Sequence, residues 1–162
     1  KVGTRVLPQS RWNLFDRQIL AWKLESGPSP AFLASFQTIR ESLEVQAAKL
    51  AARHREAEHV RLLNYWLNQR SVMAHQPEPF AMAEFEIHRV VAEASGNPFL
   101  RAASAIMEFG VAVSVLTQLG QDLSAPPGGL ADAHAAGYEA LIRAIERGDG
   151  DTAAAQMAAL AR

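Results

Sequence analysis

The chain has 162 residues, enough to bury one substantial core, and its 49% hydrophobic and 20% charged side chains suit a globular domain rather than a fibrous or disordered one. Sixteen basic against seventeen acidic residues leave no overall field to draw nucleic acid or an anionic membrane, and the lack of cysteine removes disulfides, thiolate metal sites and thiol catalysis together. No apolar run approaches the roughly 20 residues that span a bilayer, and the expected setting is cytoplasmic with no membrane contact.

Residues 1–11, KVGTRVLPQSR, show short β-type alternation ended by Pro8 and read as a strand remnant and linker. Residues 12–162 form the body. A short helix is expected near FDRQILAWKL. Ser29 is placed to cap a second helix with Pro30 at its first position, running to about His54, and Phe32, Phe36, Ile39, Leu43, Ala47 and Leu50 give it a buried stripe. A third helix is expected from about Glu56 to Ala74. Val60, Leu63, Leu67 and Ala74 form its core stripe, while Leu62, Trp66 and Met73 gather about 120° away as a second apolar flank. That flank is expected to lie either under the N-terminal helix, through Leu20 and Trp22, or in a two-fold interface anchored by Trp66.

The prolines of HQPEPF separate the third helix from a fourth, which Gly96 ends as a left-handed cap. Asn97-Pro98 then starts a helix whose inward face reads Phe99, Ala103, Ile106, Gly110, Val113 and Thr117. After the turn SAPPGG, a helix from about Leu130 to Arg147 carries Ala131, His134, Tyr138, Leu141, Ile142 and Ile145 on one side, and Gly148-Asp149 breaks and recaps the chain for a last Ala-rich helix. Short connections between amphipathic helices predict an all-α fold, a single antiparallel bundle of about six to seven helices.

Several ionisable residues fall on the inward stripes. In EFEIHRVVAEASGNPFL, Glu84 and His88 lie one turn apart on the apolar side, with Glu86, Arg89 and Glu93 opposite. Arg40 sits among Phe36, Leu43 and Ala47, and Tyr138 and His134 project from one side of a later helix, with Ser114 and Thr117 adding hydroxyls. Buried ionisable groups are costly unless paired, coordinated or kept for a ligand. Arg40 would neutralise Glu84 or receive an anion; Glu84 and His88 would share a cation or sit in the core; Tyr138 would be a core aromatic; His134 would face inward or end its helix in water. No HExxH, Gly-rich phosphate loop or GxSxG motif is present to support hydrolytic or nucleotide chemistry.

The segments RWNLFDRQILAWKLE, IRESLEVQAAKLAAR, EFEIHRVVAEASGNPFL, and ALIRAIERGD followed by AAAQM resemble, in order and spacing, the C-terminal effector-binding (FCD) domain of FadR-type regulators in the GntR family of bacterial transcription factors. The WNLFD opening is most similar to members that answer sugar acids such as galactonate or gluconate. The resemblance implies a helical bundle that binds a small organic acid, often beside a divalent metal such as zinc, and that forms a homodimer. It also implies a preceding winged-helix domain, with VGTRV as the end of its wing, through which alone operator DNA would be bound.

Carried over by residue, the family's first metal carboxylate falls on Glu84, its first histidine on His88 and its last histidine on Tyr138. No histidine lies between His88 and His134, so the implied metal site is incomplete, with His134 one turn from the missing position. Arg40 matches an arginine placed near the effector carboxylate. The expected effector-binding residues are therefore Arg40, Glu84, His88, His134 and Tyr138, and the chain is expected not to be an enzyme. The competing readings are a helical metal-dependent enzyme with Glu84 as base and His88 as ligand, and a structural dimerisation module whose inward polar residues close on one another.

Overall fold

A computed structural model describes residues 8–121 and 134–162 of the protein, and their regular structure is entirely helical. A 3-10 turn at Gln9–Arg11 precedes α1 (Arg17–Glu25), α2 (Pro30–His54), α3 (Ala57–Val72), α4 (Pro77–Ala94), α5 (Pro98–Ala102), α6 (Ser104–Gln121), α7 (Ala135–Arg147) and α8 (Gly150–Leu160). The expected wing remnant at VGTRV, the SAPPGG turn and a helix start at Leu130 lie outside the described residues.

The helix ends follow local chemistry. Asp16 accepts hydrogen bonds from the backbone of Gln18 and Ile19, Ser29 Oγ accepts from Phe32 at 3.2 Å, and Asp149 Oδ1 accepts from Thr152 at 3.0 Å, each satisfying N–H groups that a first helical turn leaves open. Gly96 (φ 68°) and Gly148 (φ 77°) take the left-handed conformation just past α4 and α7, where a side chain would be strained.

One expected helix divides in two. Ala103 leaves helical geometry (φ −78°, ψ 15°), its N–H shared between the carbonyls of Phe99 and Leu100, so α5 and α6 do not keep one rotation. Leu100 is therefore buried while Phe99, placed inward by uninterrupted periodicity, is 84% exposed. Thr117 is likewise exposed, its hydroxyl donating to Val113 O at 2.8 Å, and Ser114 is half-buried. Ile39 on α2 is also exposed.

α4 is the innermost helix, burying nine residues including Phe80, Ile87, Val90 and Val91, and it packs against α2, α3 and α6. α2 also lies along α7 and α8, joining Ala47, Ala48, Ala51 and Ala52 to Leu141, Ile142, Ile145 and Met157 in the main core. A smaller cluster gathers Leu20, Phe36, Ile106 and Phe109, with the Phe36 and Phe109 rings edge to face at 4.7 Å. Through Leu20, α1 covers α6 rather than α3. The second flank of α3 is thus left uncovered by α1: Leu62 and Trp66 lean half-buried on the main core, and Met73 leans on Phe80, Val111 and Val115. No described helix is long and apolar enough to cross a membrane.

Candidate functional site

The interior between α2, α3, α4, α6 and α7 is polar at its centre. α4 presents Glu84 and His88 one turn apart, both buried. Arg70, itself only 2% exposed, reaches in from α3, and its Nε donates to Glu84 Oε1 at 2.8 Å. Its guanidinium carbon stands 4.6 Å from the centre of the Phe80 ring and 4.9 Å from that of Tyr138, so two aromatic faces replace part of the water the charge has lost.

A second chain of contacts starts on α2. Arg40 Nε donates to Glu44 Oε2 at 3.1 Å, and Nη1 donates to the Gly110 carbonyl at 3.3 Å. Gly110 makes this crossing sterically feasible: a Cβ there would stand 2.5 Å from Arg40 Nε. Glu44 Oε1 lies 3.1 Å from His88 Nδ1, too poorly aligned for a good hydrogen bond, so the contact is chiefly electrostatic. His88 Nε2 is 3.0 Å from the Tyr138 hydroxyl. An ionised carboxylate only accepts, which assigns the proton facing Glu44 to Nδ1 and lets Nε2 accept from Tyr138 when the ring is neutral.

Burial pushes the Glu44 carboxyl upward, but the attraction of His88 and Arg40 outweighs it and holds Glu44 below the usual carboxylate value. Burial, aided by Glu84, drives the Tyr138 phenol well above its ordinary value against the pull of Arg70 and Arg40, so it stays a neutral hydroxyl. With Arg40 and Arg70 facing Glu44 and Glu84, the formal charges of these four groups cancel.

Of the residues the sequence places in the site, Arg40, Glu84, His88 and Tyr138 converge here. Arg40 does not pair with Glu84; it takes Glu44, and Glu84 takes Arg70. His134 does not join them. It is exposed, in a left-handed conformation (φ 60°) just before α7, so helical rotation carried back from Tyr138 does not apply to it, and the helix-end position in water is the one it occupies. The sequence reading missed Glu44 and Arg70. Glu44 lies four residues after Arg40 and three before Ala47, and Arg70 seven after Leu63 and four before Ala74, so stripe spacing alone would have found both.

These donors do not fit a divalent metal as arranged. Glu84 is held by a permanently charged guanidinium, both ring nitrogens of His88 face protein partners, and among the described residues no three His, Cys, Asp or Glu side chains converge on a common point. Glu84 and His88, the expected ligand pair, stand one turn apart on α4 and face Arg70 and Tyr138 respectively. Arg70 also forms part of the wall of a cleft of about 280 Å³ between α3 and α7, lined by Asn64, Asn68, Ser71 and Glu139 among others.

Comparison with known proteins places the chain in a family. The FCD domain model matches residues 36–162. The galactonate operon transcriptional repressor of Escherichia coli (strain K12) is 29% identical over 159 residues, which are 98% of this chain and 66% of the repressor. The uncharacterized HTH-type transcriptional regulator YieP of the same organism is 29% identical over 164 residues, 100% of this chain and 67% of that protein. The chain thus spans about two thirds of the length of these relatives. The solved structure of E. coli McbR/YncC shares the fold, with a TM-score of 0.67 over 90% of this chain and 78% of that one at 17% identity. With the family match running over most of its length, the chain belongs to the FCD domain family of GntR-type transcriptional regulators.

Proposed function

We propose that residues 12–162 are the effector-binding and dimerisation domain of a cytoplasmic transcription regulator. Its effector is a small organic acid of the sugar-acid class, and residues 1–11 join it to a winged-helix domain that contacts operator DNA. The observation carrying this reading is the burial of two arginines, Arg40 and Arg70, in one bundle interior with Glu84, His88 and Tyr138 beside them. Guanidinium groups bind carboxylates with geometric fidelity, and an imidazole and a phenol offer hydrogen bonds to hydroxyls. The galactonate repressor's name, together with coverage of two thirds of two regulators, supports both the ligand class and the DNA-binding partner.

A second reading is favoured by one observation: Arg40 with Glu44, Arg70 with Glu84 and His88 with Tyr138 already pair with one another, as expected of a purely structural dimerisation module. Thermal shift against a panel of sugar acids, with and without chelator, separates the two. A ligand that binds only the folded state stabilises it by about 2.7 kcal/mol at a hundredfold excess over Kd, so a rise in Tm with one acid supports the sensor. No rise with any acid of the panel leaves the structural module.

A further inference from the structure

The carboxylate on Glu84, the imidazole on His88 and the position of Tyr138 are where the family resemblance puts a divalent cation, yet another cation stands among them. Arg70 Nε is 2.8 Å from Glu84 Oε1, and the guanidinium carbon is 4.9 Å from the centre of the Tyr138 ring. Tyr138 in turn holds His88 Nε2 at 3.0 Å. We infer that the Arg70 guanidinium takes the place of the metal, so that the interior has a covalently attached, metal-independent positive centre.

Three features of the chain favour this exchange. A guanidinium is always charged and more weakly hydrated than a metal ion or ammonium, so it tolerates a site 2% exposed when a carboxylate and two aromatic faces surround it. A neutral phenol is a poor ligand for zinc but a good aromatic face for a guanidinium, and burial keeps Tyr138 in that neutral form. A metal beside Arg70 would set two cations against one Glu84 carboxylate, and Glu44, the other buried carboxylate, is already engaged by Arg40 and His88.

The centre lies just behind a cleft wall, its side chain 2% exposed. The cleft between α3 and α7 opens beside Arg70 and carries the amides of Asn64 and Asn68, the Ser71 hydroxyl and the Glu139 carboxylate. A ligand carboxylate bound there would meet Arg70 only by displacing Glu84 from it, while its hydroxyls would meet amides and a hydroxyl. This ligand assignment rests on the effector reading proposed above; the replacement of the metal by Arg70 does not.

The test therefore uses metal alone. Zinc and nickel are titrated calorimetrically into the purified protein, its metal content is measured after dialysis, and its melting is recorded with and without chelator. The expected result is no stoichiometric binding and a chelator-insensitive Tm. The double variant Arg70→Ala with Tyr138→His removes the guanidinium and adds an imidazole beside Glu84 and His88; it should gain about one zinc per chain, and a further His88→Ala should remove that gain. Chelator-resistant, stoichiometric metal in the parent overturns the inference. So does a double variant that keeps its helical spectrum yet binds no zinc. If that variant does not fold, the parent titration, metal content and melting decide alone. All these readouts omit the effector, so failure here is distinguishable from failure of the sensor reading.

Discussion

Arg70 on α3 and Glu84 on α4 form a salt bridge of 2.8 Å with side chains only 2% and 3% exposed, joining two helices at the centre of the bundle. Removing one partner leaves the other charge buried without its counter-ion, a loss of about 3 to 5 kcal/mol in comparable pairs. Glu84→Gln and Arg70→Met are each expected to destabilise on that scale in urea titrations. The double substitution should cost clearly less than the sum, since replacing both partners by neutral groups leaves no stranded charge. Additive single effects would show that the two residues are not coupled.

Arg40→Ala is expected to keep the helical spectrum, since Glu44 retains His88 as a neighbour. For any sugar acid that raises the melting temperature, this variant should lose affinity by about 1.5 to 3 kcal/mol, the range for a charge-assisted hydrogen bond. Unchanged calorimetric affinity would take Arg40 out of the ligand's reach.

Gly110 supplies a test of packing. Gly110→Ala puts a methyl group on the Arg40 side chain, which must move off the Gly110 carbonyl and out of line with Glu44. A loss of roughly 1 to 3 kcal/mol is expected from such overpacking. Gly120, also in α6 but with nothing near the position of an added Cβ, is the control, and Gly120→Ala should stabilise by about 0.4 to 1 kcal/mol. Equal effects at the two sites would mean that Arg40 does not depend on the gap in α6.

Acid should find Glu44. Its carboxyl lies below the ordinary value of 4.5 in the folded protein, because His88 and Arg40 outweigh the cost of burial. A group depressed on folding contributes stability that is complete above its unfolded pKa and is lost as pH falls through the folded one. Melting followed downward from about pH 5.5, above the unfolded carboxylate range, should therefore fall more steeply for the parent than for Glu44→Gln. Parallel curves would count against Glu44 as an acid-sensitive support of the core.

The uncovered flank of α3 bears on assembly. Trp66 is half-buried, with its neighbour Tyr65 exposed and edge-on at 5.0 Å, and α1 lies elsewhere, on α6. Sedimentation of Trp66→Glu at several concentrations should give a folded monomer where the parent is a dimer. A dimer of parental affinity would place the two-fold contact on another surface.

The helices themselves were legible because each announces its ends: Ser29-Pro30, Asn97-Pro98 and Gly148-Asp149 cap or break where the apolar periodicity changes, and the structure uses all three. The break at Ala103 was not, since alanine is a good helix former and carries no local breaking signal. Within the site, Arg40, Glu84, His88 and Tyr138 could be read from rotation around regular helices. Their pairing could not, because rotation gives the direction of a side chain and not which residue on another helix meets it. His134 shows the complementary limit, as periodicity has no meaning one residue before a helix begins.

The cancellation of charge among Arg40, Glu44, Arg70 and Glu84 has a consequence for selectivity. On the proposed effector reading, an acid arriving at Arg70 would find no vacant cation; it would have to compete with Glu84, which is tethered close by and therefore present at high effective concentration. Monodentate or weakly held acids lose that contest however abundant their hydroxyl contacts, while an acid that engages the guanidinium and the neighbouring amides together can win it. The tie between α3 and α4 would then be exchanged for a tie to the ligand. Occupancy would be a change in which helices are bound to each other, and the internal carboxylate would set the threshold below which an acid goes unnoticed.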